Sequence, residues 1–168
     1  MPREKNEQRN PYLHCNKDLD FTTKTMNRQK RTPNLGERLH NPLNIRYAPQ
    51  NHWKGLHAKQ PEVKGFCHFI DDDHGLRAAI VLLKNYVVRH GLATLEQIIY
   101  RWAPPTENDT EIYIACVAGR SGIGRSRRID VSAGSMDLCY LVSAMARQET
   151  GMRFVPAHVE MVRQRFGI

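Results

Sequence analysis

Apolar positions recur at helical spacing through most of the chain downstream of residue 70, and they divide it into elements. In "DDDHGLRAAIVLLKNYVVRHG" (71–91), Leu76, Ala79, Ile80, Leu83 and Val87 share one helical face. The acids at its start and His90-Gly91 at its end supply start and stop signals. Thr94-Leu95-Glu96-Gln97 fits a capping box, and Leu95, Ile98, Ile99 and Trp102 then form an apolar stripe that Pro104 and Pro105 end. The spacing predicts a third helix from about Asp109 to Ala118, a fourth from near Ser135 to Thr150, and a short last one in "PAHVEMVRQRF" (156–166). Upstream, the pattern changes. "HNPLNIRYAPQNHWKG" (40–55) has isolated anchors at Leu43, Ile45, Tyr47 and Trp53 among Asn and Pro, and reads as an ordered, irregular loop with a short strand. "KGFCHFI" (64–70) alternates like a strand, so one small β-hairpin is expected. Residues 1–34 lack periodicity and read as a basic, polar, disordered extension ahead of a single domain over 35–168. The expected class is α+β, mostly helical.

Length and composition fit that division. The chain has 168 residues, 40% hydrophobic and 25% charged, enough for one cored domain. A net charge of +8 and a pI near 9.6 point to an anionic partner: nucleic acid, acidic lipid or a cell-wall polymer. Solvated basic faces would give the same balance. Cys15, Cys67, Cys116 and Cys139 have no CxxC or zinc-finger spacing. Cys116 and Cys139 lie in apolar helical patterns, where a thiol behaves as a small hydrophobe. A reduced, cytoplasmically synthesised protein is expected, without signal peptide or membrane span.

Two glutamates are candidate acids. In "RWAPPTENDTEIY" (101–113), Asn108 and Glu111 resemble a capping box, and Glu107 and Asp109 would bring negative charge to a helix's positive end. That setting favours an ionised carboxylate, suited to capping or charge stabilisation. Glu149 lies four residues beyond Met145, on the face that carries Leu138, Leu141, Val142 and Met145. A carboxyl at the end of an apolar stripe loses hydration, and desolvation favours the protonated form that a general acid needs. A helix-end glutamate that bends to solvent, or bonds Arg147 or Arg153, is the structural alternative.

"NPLNIRY", "GLRAAIVLLKNY", "RWAPPTENDTEIYI" and "ARQETG" together resemble a family of small phage and prophage virion structural proteins related to the lysozyme-like superfamily. The resemblance spans about residues 35–155. It implies a lysozyme-like domain, with Glu149 of "QETG" similar to the catalytic acid of lytic transglycosylases and Thr150 in the position of their serine. "NPLNIR" is similar to the Asn-rich segment lining the glycan groove of related glucosaminidases. In those enzymes the Glu-bearing helix comes before the Asn-rich segment; here it comes after. The resemblance therefore implies a circular permutation, or a coincidental match at "QETG" that leaves Glu107 as the acid.

The implied chemistry is cleavage of peptidoglycan strands. Glu149 would protonate the glycosidic oxygen and then act as base, while a hydrolase would recruit a second carboxylate: Glu107, Asp109 or one of Asp71 to Asp73. Asn41, Asn44, Arg46, Tyr47 and Trp53 would bind sugar by amide hydrogen bonds and ring stacking, or simply pin the loop. The alternative is a non-enzymatic virion component that binds cell wall or neighbouring virion proteins. The two differ at Glu149: an enzyme needs a protonatable acid facing a groove, a structural protein has it paired or exposed.

His52, His57, Cys67, His68 and His74 fit no standard metal spacing, so neither metal nor cofactor is expected. "GRSGIGRSRR" (119–128) lacks the GK[ST] of a phosphate loop and reads as a mobile basic loop. Nucleic-acid binding through that loop and the basic extension is a third reading, the least favoured, and would depend steeply on salt.

Overall fold

The computed structural model describes residues 32–60 and 65–168. The expected disordered extension over 1–34 lies outside the described residues except at 32–34. Six helices are described: α1 (Leu35–Arg38), α2 (Asp72–His90), α3 (Leu95–Trp102), α4 (Thr110–Ser121), α5 (Asp137–Thr150) and α6 (Pro156–Phe166). None is long and apolar enough to cross a membrane.

Local chemistry sets most of the boundaries. The Asp71 carboxylate caps α2 by accepting from the His74 N–H, and Asp72 and Asp73 add negative charge to its first turn. Gly91 ends α2 with φ +67°, a conformation costly for residues with a Cβ. Thr94 and Gln97 form the expected capping box at α3. Pro156 opens α6 where a missing N–H costs nothing.

The helix α5 is central. It packs against α1, α2, α4 and α6, and Leu138, Cys139, Leu141, Val142, Ala144, Met145 and Ala146 are all buried. A helix apolar on nearly every side needs neighbours all round. They are supplied by Leu76, Ile80 and Leu83 of α2, Ile114 and Val117 of α4, and Val159 and Val162 of α6, while Ile98 and Ile99 of α3 extend the same core beside α2 and α4.

Four expectations are corrected. No strand forms among the described residues: in place of the hairpin, isolated antiparallel bridges join Arg46 to Phe66 and Leu56 to Phe69. The expected Asn108–Glu111 capping box is absent, because Asp109 caps α4 by accepting from the Ile112 N–H; Glu111 instead binds Arg125 and Tyr100. The basic loop 119–128 is pinned. Ile123 and Ile129 are buried, the Arg125 carbonyl accepts from the Glu96 N–H, and the Arg125 side chain bridges Glu96 and Glu111. Lastly, Cys116, expected to be a free thiol, is disulfide-bonded, while Cys67 and Cys139 are buried free thiols.

Candidate functional site

Three helices and the irregular segment 40–55 converge on one cleft of about 520 Å³. Its walls include Asn44, Arg46 and Trp53 from that segment, Trp102 from the end of α3, Glu107 and Asn108 from the α3–α4 connection, and Glu149 from the end of α5.

The meeting of "NPLNIR" with "QETG" has a specific cause. The buried Thr150 hydroxyl lies 3.0 Å from the Pro42 carbonyl and 2.9 Å from that of Ala146, the ordinary acceptor one turn back. Asn34, the cap of α1, donates its side-chain N–H to the Thr150 carbonyl. Gly36 of α1 packs so closely that a Cβ there would sit 2.2 Å from Thr150 Cγ2. The C-terminal turn of α5 is thus clamped to residues 34–44, and Glu149 is delivered to the segment beside it.

Donors converge on Glu149. The Trp102 indole N–H and the Tyr113 hydroxyl each donate to Oε1, at 2.8 Å. The Asn44 amide N–H₂ lies 3.3 Å from Oε2 and 3.3 Å from the Glu149 carbonyl. Asn44 has φ +50°, a left-handed conformation that Asn tolerates better than most residues and that recurs at functional sites. Burial first, then the Glu149 carboxylate, push the Tyr113 hydroxyl well above its ordinary range, so it keeps its proton and donates. Neither Arg147 nor Arg153 takes part in these contacts with Glu149.

Glu107 is at the rim. Its backbone N–H and that of Asn108 turn back to the Pro104 carbonyl, at 3.0 and 3.1 Å. The buried Thr110 hydroxyl closes the connection by donating to the Ala103 carbonyl, at 2.6 Å. Glu107 caps nothing; its carboxylate meets Arg46 at 3.5 Å, with both side chains mostly exposed, a pair worth at most about 1 kcal/mol. Arg46 also lies over the Phe66 ring, 5.7 Å from its centroid.

The remaining sequence-predicted residues divide. Trp53 lines the cleft, and its indole N–H is buried without an acceptor. Asn41 is off the cleft: it is fully buried, accepts from the Ile45 N–H at 2.8 Å, and donates to the Ile45 and Cys67 carbonyls at 3.0 and 2.9 Å. Tyr47 is half-buried against the core and is not part of the cleft wall. Asp71, Asp72 and Asp73 lie elsewhere, paired with His74, His40 and His158. Among the described residues no group of His, Cys, Asp or Glu is arranged to hold a metal; His57 and His68 stack at 4.4 Å.

Trp102 and Tyr113 are the residues that sequence reasoning missed as site residues. Trp102 falls on an apolar stripe and reads as core, and Tyr113 lies in the expected third helix without being singled out. The available signal was their polar tips, since a Trp N–H or Tyr O–H in a core usually has an acceptor nearby.

No family model matches the chain. Protein P5 of Pseudoalteromonas phage PM2 is 39% identical to it over 120 residues, which cover 69% of this chain and 71% of that protein.

Proposed function

This chain belongs to the family of Protein P5 of Pseudoalteromonas phage PM2, and we propose on that footing that it is a non-enzymatic component of a phage particle whose cleft binds bacterial cell-wall glycan. The observation that carries the non-enzymatic part is the saturation of Glu149 Oε1. A general acid must give up a proton, and here Trp102 and Tyr113 both donate into that oxygen instead. The cleft supports the glycan part. It interleaves aromatic and aliphatic side chains with polar ones, Asn44, Arg46, Asn51, Asn108 and the two glutamates, a mixture that suits a ring with hydroxyls on its edge. Trp53 and Trp102 offer faces for stacking.

A second reading, cleavage of the same polymer within a lysozyme-like domain, is favoured by one observation: Glu149 and Glu107 line a single cleft. In that reading Oε2, not Oε1, carries the proton.

One pair of assays separates the two. Purified phage particles are probed for the protein by mass spectrometry, and recombinant protein is mixed with insoluble peptidoglycan, following both co-sedimentation and turbidity. The expected result is a particle-borne protein that co-sediments without clearing. Clearing by the wild type but not by Glu149→Gln would establish the enzyme. Absence of co-sedimentation at low salt would refute wall binding and leave contacts with other virion proteins as the role.

A further inference from the structure

The charge of the whole chain and the charge of the cleft have opposite signs. The chain carries +8, yet the charged side chains lining the cleft are Arg46, Glu107 and Glu149, two carboxylates against one guanidinium. Arg46 is already engaged by Glu107. The helices α3 and α5 both end at the cleft, through Trp102 and Glu149, and helix C-termini carry partial negative charge. The one helix that starts beside it, α4, has its N-terminus satisfied by the Asp109 carboxylate.

The Glu149 carboxylate is also asymmetric. Both oxygens have a partner in the cleft wall, Trp102 at Oε1 and Asn44 at Oε2. Oε1 takes two donors at 2.8 Å, whereas Oε2 meets, among the described residues, the Asn44 amide at 3.3 Å, at the long end for a hydrogen bond, and so keeps the spare acceptor capacity. A fixed carboxylate oxygen with spare acceptor capacity, at the end of two helices, suits a donor that brings positive charge.

We propose that the cleft prefers an amino sugar with a free ammonium group over its N-acetylated counterpart, and that it excludes polyanions in spite of the chain's basic surface. Glu149 Oε2 is the group that takes the ammonium. Trp102 and Tyr113 are positioning residues that hold the other oxygen. The proposal rests on the glycan-binding reading of the cleft.

Both tryptophans of the chain line the cleft, so the tryptophan emission of the folded protein reports on its occupancy. Full-length protein is titrated at pH 6 with β-1,4-linked glucosamine tetramer, with N-acetylglucosamine tetramer and with heparin. The glucosamine tetramer is expected to bind about fivefold tighter than the acetylated one, the scale of a single partly exposed ion pair. Added salt should shrink that ratio. In Glu149→Gln it should fall to about one, with a urea midpoint close to wild type as the check that the fold is intact. Heparin should leave the emission unchanged and fail to displace either tetramer. Equal or tighter binding of the acetylated tetramer, a ratio that survives Glu149→Gln, or displacement by heparin overturns the proposal while leaving glycan binding standing. No emission change with either tetramer overturns glycan binding itself, and this inference with it.

Discussion

Replacing Asn41 by Leu should damage the fold rather than binding. The substitution keeps a similar volume but removes every polar atom from a site that is fully buried. The Ile45 N–H and the Cys67 carbonyl lose their Asn41 partner; the Ile45 carbonyl keeps the Cys67 N–H at 2.8 Å. Leaving a buried donor or acceptor unsatisfied costs about 1–3 kcal/mol, so two such groups cost about 2–6 kcal/mol. Against a typical total of about 5–15 kcal/mol that is a large fraction. A domain of this size should lose roughly 10 °C in Tm at the middle of that range. Urea unfolding followed by tryptophan emission measures it as a lower midpoint with an unchanged slope. A variant within about 0.5 kcal/mol of wild type that nevertheless fails to bind glycan would refute the reasoning and return Asn41 to the ligand.

Arg163 is buried, binds Glu160 through Nε at 2.7 Å, and donates to the Ser132, Ala133 and Ser135 carbonyls. Arg163→Met takes the guanidinium from Glu160, which keeps Gln164 and Cys139, and frees that loop, and should cost about 1–3 kcal/mol in chemical denaturation; a loss below about 0.5 kcal/mol would show the loop held by other contacts. Burial pushes the Cys67 thiol up to about 11, and burial followed by the Glu160 contact pushes Cys139 up to about 12, from an ordinary 9.0. Both thiols should resist iodoacetamide at pH 8 until the protein is unfolded, with mass spectrometry as the readout. The native state holds these protons more tightly than the unfolded chain, so their stabilising contribution is complete below pH 9 and is lost as pH rises toward 11 to 12. A midpoint of denaturation unchanged between pH 9 and 11 would contradict this.

The helices were legible in the sequence wherever capping chemistry accompanied periodicity. Thr94 with Gln97 and Pro156 marked α3 and α6, and the Asp71–Asp73 run marked α2. Helix α1 was not legible, because four residues are too few to show a period. The alternation in residues 65–70 did identify inward and outward sides: Cys67 and Phe69 are buried, Phe66 and His68 half-buried. It could not predict a ladder. Phe66 finds its partner at Arg46 and Phe69 finds its partner at Leu56, so no two consecutive pairs share one neighbouring strand. The approach of Asn44 to Glu149 spans 105 residues and is set by Thr150 and Gly36 docking on the 34–44 segment, a tertiary event with no local signal. Likewise Glu107, read as a helix cap, sits two residues ahead of the true cap Asp109, and this offset leaves its carboxylate free to reach Arg46.

The same offset logic applies to Glu149, where charge and hydrogen bonding can be removed separately. Glu149→Gln keeps a carbonyl oxygen that accepts from both Trp102 and Tyr113, and places an N–H₂ near the Asn44 amide. Rotation of the Asn44 amide by half a turn would present its oxygen to that group and give up only its long 3.3 Å bond to the Glu149 carbonyl, so the exchange should cost about 1 kcal/mol. Glu149→Leu removes the acceptor altogether and leaves an indole N–H and a phenolic O–H facing methyl groups, at about 2–6 kcal/mol for the two. The expected order of midpoints in urea is wild type close to Glu149→Gln, with Glu149→Leu well below both. Should Glu149→Gln fall as far as Glu149→Leu, the negative charge itself would be what holds the ends of α3 and α5 together, and the carboxylate would be a structural ion rather than a group presented to a ligand.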